Sequence, residues 1–454
     1  MLIWLKKIWP FIILAVLALI IHFAFLSYPA QVVFDEVHFG KFVGAYFTHQ
    51  YYFDIHPPLG KLMIAGWAKL NGLNPVFAFE KIGEAVPAQT LFTLRFLPAL
   101  AGALFVLAFT WLAYLISRSK QTALIAGFLI LCCNAILVQT KFILVDGFLL
   151  LFEFLAFCFF LLWQRQKTYG VKWWSYLALT GLSFGLTISI KWTGVATIGV
   201  IGIILLVTKW RKIKELAIVI PTLLILGFAV YAIPFYIHFQ LLPKSGPGDA
   251  FMGWQFQQEL KYGRDAVYQP LTFWQKFFEL NKTMYTANAS ITSEHPFGSR
   301  WYQWPFNVKP VYYWQNDSGI TSQTANIYLT GNPLLWWSAS LAVIYTLWLF
   351  LSKNNRRRTE PIFYILILAY FANLLPFMLV KRVAFLYHYL LAASFAVMLL
   401  SFYFSKIYSK NKRVFISLIA IIILGFIFIS PLSYGWNISR NFFSQELKII
   451  NLLN

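Results

Sequence analysis

Charge is the first thing this sequence lacks. Asp, Glu, Lys and Arg make up 12% of 454 residues, against roughly 25% in soluble domains. Apolar residues make up 59% and run in long blocks without the charged face that a soluble helix shows. That excludes a water-soluble chain or repeat. Acids are scarce even among the charges, 16 against 37 Lys and Arg, for a net charge of +21. In a soluble protein that balance would suggest nucleic acid; the positions of the bases, given below, make that role unnecessary. Cysteine is nearly missing. Cys132, Cys133 and Cys158 all fall inside apolar blocks, which excludes a disulfide framework and leaves small buried hydrophobes. Internal repeats and low-complexity segments are also lacking.

What is present is membrane-length apolar sequence. A bilayer needs about 20 apolar residues per spanning helix. Blocks at 8–28, 91–116, 121–138, 142–163, 174–190, 193–208, 216–237, 334–352, 361–380, 383–405 and 414–432 predict an all-α polytopic membrane protein with about eleven transmembrane helices. Lys6 and Lys7 before the first block resemble a signal peptide. The block is longer than a usual signal core and no small-x-small site follows, so it reads as a retained first helix.

With the N-terminus cytoplasmic, alternation places basic clusters in every inner loop. These are Arg118 and Lys120; Arg165, Lys167 and Lys172; Lys209, Arg211, Lys212 and Lys214; Lys353 and Arg356 to Arg358; and Lys406, Lys410, Lys412 and Arg413. Only Glu215 and Glu360 join them. This is the positive-inside pattern, and it puts the tail, 433–454, outside. Eighteen Trp suit interfacial belts.

Two outer segments, 29–90 and 238–333, exceed the length of mere connectors, and long loops in compact proteins are usually functional. In the first, Pro57 and Pro58 suit a first helical turn, and Leu59, Leu62, Met63, Gly66 and Leu70 recur at helical spacing. This predicts a helix lying on the outer leaflet, with Lys61 and Lys69 on another face. The second segment is rich in Trp and Phe and reads as ordered.

Asp35 and Glu36 are the first candidates for chemistry. An adjacent acidic pair can be a solvated loop feature. Here Val32, Val33, Phe34 and Phe39 flank it, and a partly dehydrated carboxylate is a stronger base. Asp146, Glu153, Arg95, Lys191 and Arg382 lie within or beside apolar blocks, where charge is costly and functional by default. Asp146, Arg95, Lys191 and Arg382 fall at predicted outer ends with Asp35, His56 and His388, which points to one outward-facing site. Asp146 and Glu153, seven apart, share a helix face, with Glu153 deeper beside a buried base. Snorkelling to headgroups is the plain alternative for Arg95, Lys191 and Arg382. No His pair has a zinc-protease spacing, so no metal is assigned, although a divalent ion on the acidic pair stays open. Asn281, Asn288, Asn316 and Asn437 begin outer glycosylation sequons.

The motifs then resemble one family. Phe34-Asp35-Glu36-Val37-His38-Phe39-Gly40-Lys41 and Tyr52-Phe53-Asp54-Ile55-His56-Pro57-Pro58-Leu59-Gly60-Lys61 resemble the protein O-mannosyltransferases. So do Arg95-Phe96, Val145-Asp146-Gly147, Ser189-Ile190-Lys191-Trp192-Thr193-Gly194, His295-Pro296-Phe297-Gly298-Ser299-Arg300-Trp301 with Trp304-Pro305, and Phe385-Leu386-Tyr387-His388-Tyr389. The matches run in order along nearly the whole chain.

The resemblance implies a GT-C glycosyltransferase fold and inverting transfer of mannose. The donor is polyprenyl (dolichyl-type) phosphate mannose and the acceptor a Ser or Thr hydroxyl of a protein. It implies Asp35 as the base and Glu36 as its support. A lipid phosphate leaving group needs cationic or hydrogen-bonding partners, for which Arg95, Lys191, Arg382 and His388 are the candidates; His56, Asp146, Trp192 and Tyr387 join them as substrate-binding candidates. The second outer segment lacks the β-trefoil insertion of eukaryotic members, so the chain looks like a compact bacterial-type member of the plasma membrane, with the site on the outer face. No cofactor is expected, and the sequence sets no oligomeric state. Two rivals remain: a GT-C transferase with a lipid or glycan acceptor, and a transporter. Transport sites usually sit at the midplane, away from these outer-end charges.

Overall fold

The computed structural model describes residues 2–74, 77–291, 294–316, 322–352 and 360–450. The predicted inner cluster at Lys353 and Arg356 to Arg358 lies outside the described residues, as do Asp317 and Ser318 of one sequon. Every apolar block of the sequence becomes helix. The chain starts with α1 (Leu2–Phe23). The first outer segment carries α2 (Glu36–Thr48) and α3 (Leu59–Leu70). Helices α4 (Ala88–Ser117), α5 (Lys120–Leu131), α6 (Asn134–Lys141), α7 (Asp146–Gln164), α8 (Val171–Ile190), α9 (Val195–Lys209) and α10 (Ile213–Leu241) follow.

Among the described residues, eight helical segments are long and apolar enough to cross a bilayer, and a ninth counts if α5 and α6 form one span bent by 64°. The first block, Ile8–Phe23, is shorter than that measure. The Ser, Thr, Gly and Trp of α8 dilute its hydropathy. The α5–α6 break departs from the continuous helix expected over 121–138. It falls at Cys132–Cys133, and Asn134 Nδ2 donates to Ser433 Oγ at 2.9 Å. A buried amide that finds a distant partner anchors the bend.

The second outer segment folds as expected of an ordered region. It holds α11 (Trp254–Tyr262) and α12 (Phe273–Ala289), the latter opened by a Thr272–Gln275 capping box. Strands β1 (Val311–Asn316) and β2 (Gln323–Leu329) pair antiparallel, and β3 (Asn437–Ser439) from the C-terminal tail completes the order β1-β2-β3. Then come α13 (Pro333–Leu351), α14 (Pro361–Leu374), α15 (Leu390–Lys410), α16 (Lys412–Tyr434) and α17 (Arg440–Ile450). α7 packs between α4 and α8, and α8 against α10. α3 forms where the helix after Pro57 and Pro58 was expected, with one correction: Lys61 is buried rather than on the polar face. It turns inward beside Ile64, Ala65 and Ala68, because Asp54 and the His56 carbonyl accept its ammonium.

Candidate active site

The adjacent carboxylates Asp35 and Glu36 have different surroundings. Asp35 caps α2 without a side-chain capping bond and stays partly exposed. Burial pushes its pKa up to about 6; His38 and Lys191 pull it down, while Asp146 and Asp54 raise it. Glu36 is fully buried. Its Oε1 accepts Arg95 Nε at 2.8 Å and Ile143 N at 3.0 Å, and its Oε2 accepts Arg95 Nη2 at 2.8 Å and Val33 N at 2.9 Å.

Arg95, also fully buried, gives its remaining N–H groups to the carbonyls of Leu26, Pro29 and Gln31 at 3.2, 3.0 and 2.9 Å. It therefore does not line the cavity described next. Its guanidinium ties the end of α1, the acidic loop and α4 together.

A cavity of about 680 Å³ lies within the structure; Asp35 does not line it but feels the charges of two residues that do, Lys191 and Asp146. The cavity's polar wall holds His56, Asp146, Lys191, Arg382, Tyr387 and His388. Local structure delivers each one. Asp146 stands in the first turn of α7, where a carboxylate suits the helix dipole. Lys191 follows the last residue of α8 in extended conformation, φ −149°, and its ammonium sits 2.9 Å from both Asp146 oxygens. Trp192 also lines the cavity and donates from Nε1 to Tyr231 Oη at 2.9 Å.

Arg382 donates to Asn288 Oδ1. His388 accepts from Arg382 at Nε2, 3.5 Å away, in the tautomer whose Nδ1–H donates to the Phe385 carbonyl at 3.0 Å. His56 is kept neutral: burial, then the neighbouring charges of Lys191, Lys61 and Arg382, hold its pKa well below the usual value. Most of the remaining wall is apolar, with Leu149, Leu150, Val195, Ala196, Leu390 and Leu391.

Glu153 does share the Asp146 face of α7, but among the described residues no base pairs with it. Both its oxygens are buried without a hydrogen-bond partner, which corrects the expected pairing. Sequence reasoning missed Gln139, Tyr313 and Asn288. Gln139 was legible as a polar residue in an apolar stretch; Tyr313 and Asn288 meet the site only through long-range folding.

The model for dolichyl-phosphate-mannose-protein mannosyltransferases matches residues 12–243, half of the chain. The chain belongs to this family. The model for the C-terminal four-helix region of the protein O-mannosyltransferases matches residues 273–451.

Dolichyl-phosphate-mannose–protein mannosyltransferase 4 of Candida albicans is 35% identical over 55% of this chain and 35% of its own length. Protein O-mannosyltransferase 1 of Drosophila melanogaster is 30% identical over 69% of this chain and 36% of its own. The aligned part thus spans about a third of these relatives. The Saccharomyces cerevisiae protein O-mannosyltransferase Pmt1-Pmt2 complex bound to the sugar donor superposes with a TM-score of 0.87 at 20% identity, over 97% of this chain and 92% of that one. The shared architecture is the GT-C fold that the motifs implied.

Proposed function

We propose that the protein moves mannose, with inversion, from polyprenyl (dolichyl-type) phosphate mannose to Ser or Thr hydroxyls of proteins. One observation carries the reading. A partly buried carboxylate with a raised pKa, Asp35, stands within electrostatic reach of a Lys191–Asp146 pair on the wall of a mostly apolar cavity that carries a cluster of polar side chains. An inverting displacement needs a base on one side of the anomeric carbon and a stabilised leaving group on the other. The acceptor oxygen attacks the anomeric carbon as Asp35 takes its proton. The bond from that carbon to the phosphate oxygen breaks, and polyprenyl phosphate leaves.

Lys191 and Arg382 meet the growing phosphate charge, His56, Tyr387 and His388 supply hydrogen bonds, and the apolar wall takes the start of the lipid chain. Asp146 holds the Lys191 ammonium in place. Glu36 supports Asp35 by fixing the loop through Arg95. Side chains supply all of this, so the reading calls for no metal, and chelation leaves the rate unchanged. The site faces away from the cytoplasm in a bacterial-type plasma membrane.

The test is transfer by purified protein in detergent, with polyprenyl-phosphate mannose and a Ser/Thr-rich peptide, comparing wild type with Asp35→Asn. Mannosylated peptide from wild type alone supports the reaction and the base together. Transfer only to a lipid or glycan acceptor moves the substrate and leaves the fold assignment standing.

A further inference from the structure

Tyr313 belongs to the second outer segment, yet it is buried against the first. The β1–β2 register slips between Tyr312 and Trp314, leaving Tyr313 in a bulge. A bulge re-aims a side chain and frees its backbone from the ladder. The freed carbonyl accepts Phe34 N at 3.0 Å, and the ring stacks on Phe34 with centroids 4.0 Å apart and planes 13° from parallel.

Phe34 needs such a hold. It sits at φ +48°, a left-handed conformation that a residue with a bulky side chain resists, and it immediately precedes Asp35. Tyr387, on the cavity wall, meets its other side edge-on at 6.0 Å.

The hydroxyl of Tyr313 goes elsewhere. It donates to Gln139 Oε1. Gln139 Nε2 donates to Asp146 Oδ2 at 2.8 Å, and both Asp146 oxygens accept from Lys191 Nζ. The direction is forced at both ends: the carboxylate only accepts, so Gln139 must present N–H to it and oxygen to the phenol. Gln139 is 2% exposed and Tyr313 0%, so water does not substitute for either partner.

We propose that Tyr313 is a positioning residue with two separable jobs. Its ring and carbonyl hold Phe34, and so aim the Asp35 carboxylate. Its hydroxyl, through Gln139, orients the Asp146–Lys191 pair that seats the donor phosphate. Donor and base are thereby set by one residue of the second outer segment. The inference rests on the proposed function for the identity of the donor.

Tyr313→Phe removes the hydroxyl and keeps the ring. It raises the donor KM roughly tenfold, as loss of a buried bond supporting a charged group does, and leaves acceptor KM and kcat within about twofold. Gln139→Met gives the same donor defect, and the double variant is no worse than either single one. Tyr313→Leu removes the ring as well; kcat then falls and the midpoint of the pH–rate profile moves, because Asp35 is no longer held.

Two results overturn the proposal. One is an unchanged donor KM in Tyr313→Phe. The other is loss of kcat and both KM values in step with a lowered Tm, which marks general destabilisation. A titration with polyprenyl phosphate, which needs neither mannose nor acceptor, separates the readings. Binding weakened about tenfold in Tyr313→Phe supports the wiring even where wild type transfers no mannose, and equal binding in the two proteins rejects it even where transfer succeeds.

Discussion

Neighbouring acids of one type serve different ends here because burial and partners differ. Glu36 is spent on Arg95 and two backbone N–H groups, whereas Asp35 has no cap to hold, as the proposed role of base requires. A base works when deprotonated, so the transfer rate rises with pH through about 6, the value to which burial pushes Asp35. Asp35→Asn abolishes that limb together with turnover. The stability effect has the opposite sense. A carboxyl whose pKa is raised on folding stabilises the protein below its unfolded value, and that contribution is lost as pH rises through about 6. Asp35→Asn therefore melts above wild type at neutral pH, and the gap closes towards about pH 4; thermal unfolding in detergent at both pH values checks it. Arg95→Met is expected to act on stability rather than on donor affinity. It strands the fully buried Glu36, and breaking a buried pair costs about 3–5 kcal/mol. The charges at apolar borders were readable from the sequence as a group. Their division into a cavity wall (Asp146, Lys191, Arg382) and a scaffold (Arg95) was not, because the partner of Arg95 lies 59 residues away.

Elements converge on the site through close backbone approaches. At Gly60, α3 reaches the residues before α7 and at the end of α8: a Cβ there would stand 2.5 Å from Val145 Cγ1 and 3.4 Å from Ile190 Cδ1. Val145 is β-branched, with little freedom to yield. Gly60→Ala is thus expected to cost about 1–3 kcal/mol. It pushes α3 outward, taking with it Lys61, which pins the loop at Asp54 and the His56 carbonyl. Its measurable signs are a lower Tm and weaker polyprenyl phosphate binding, with the pH midpoint of Asp35 unmoved. The helix α3 itself was legible, since helical spacing and a leading Pro pair speak locally. The α5–α6 bend was not, because no Pro or Gly stands at Cys132 and Cys133 where the helix breaks, and only Asn134 marks it. The β1 bulge had no local signal at all; it depends on where Phe34 comes to lie.

Taken whole, the molecule separates its charges to two ends. Arg118 and Lys120 stand at the junction of α4 and α5, Arg165 just past α7, Lys209 at the end of α9, and Lys410 and Lys412 between α15 and α16. Asp146, Lys191 and Arg382 gather at the opposite ends of the same helices, around one cavity, with Asp35 in electrostatic reach of the first two. Lys and Arg are retained on the cytoplasmic side, so this segregation supports the proposed placement of the cavity on the other face. The prediction needs no cysteine-free background, because Cys132, Cys133 and Cys158 are all buried. Val37→Cys, one residue beyond the acidic pair, should react with a membrane-impermeant maleimide in intact cells. Lys410→Cys, at the exposed basic turn between α15 and α16, should react only after the membrane is opened. The reverse pattern would invert the orientation and place the site in the cytoplasm. Labelling at Val37 that is blocked by added polyprenyl phosphate would go further, because the acidic loop and the cavity would then be shown to share one entrance on the outer face.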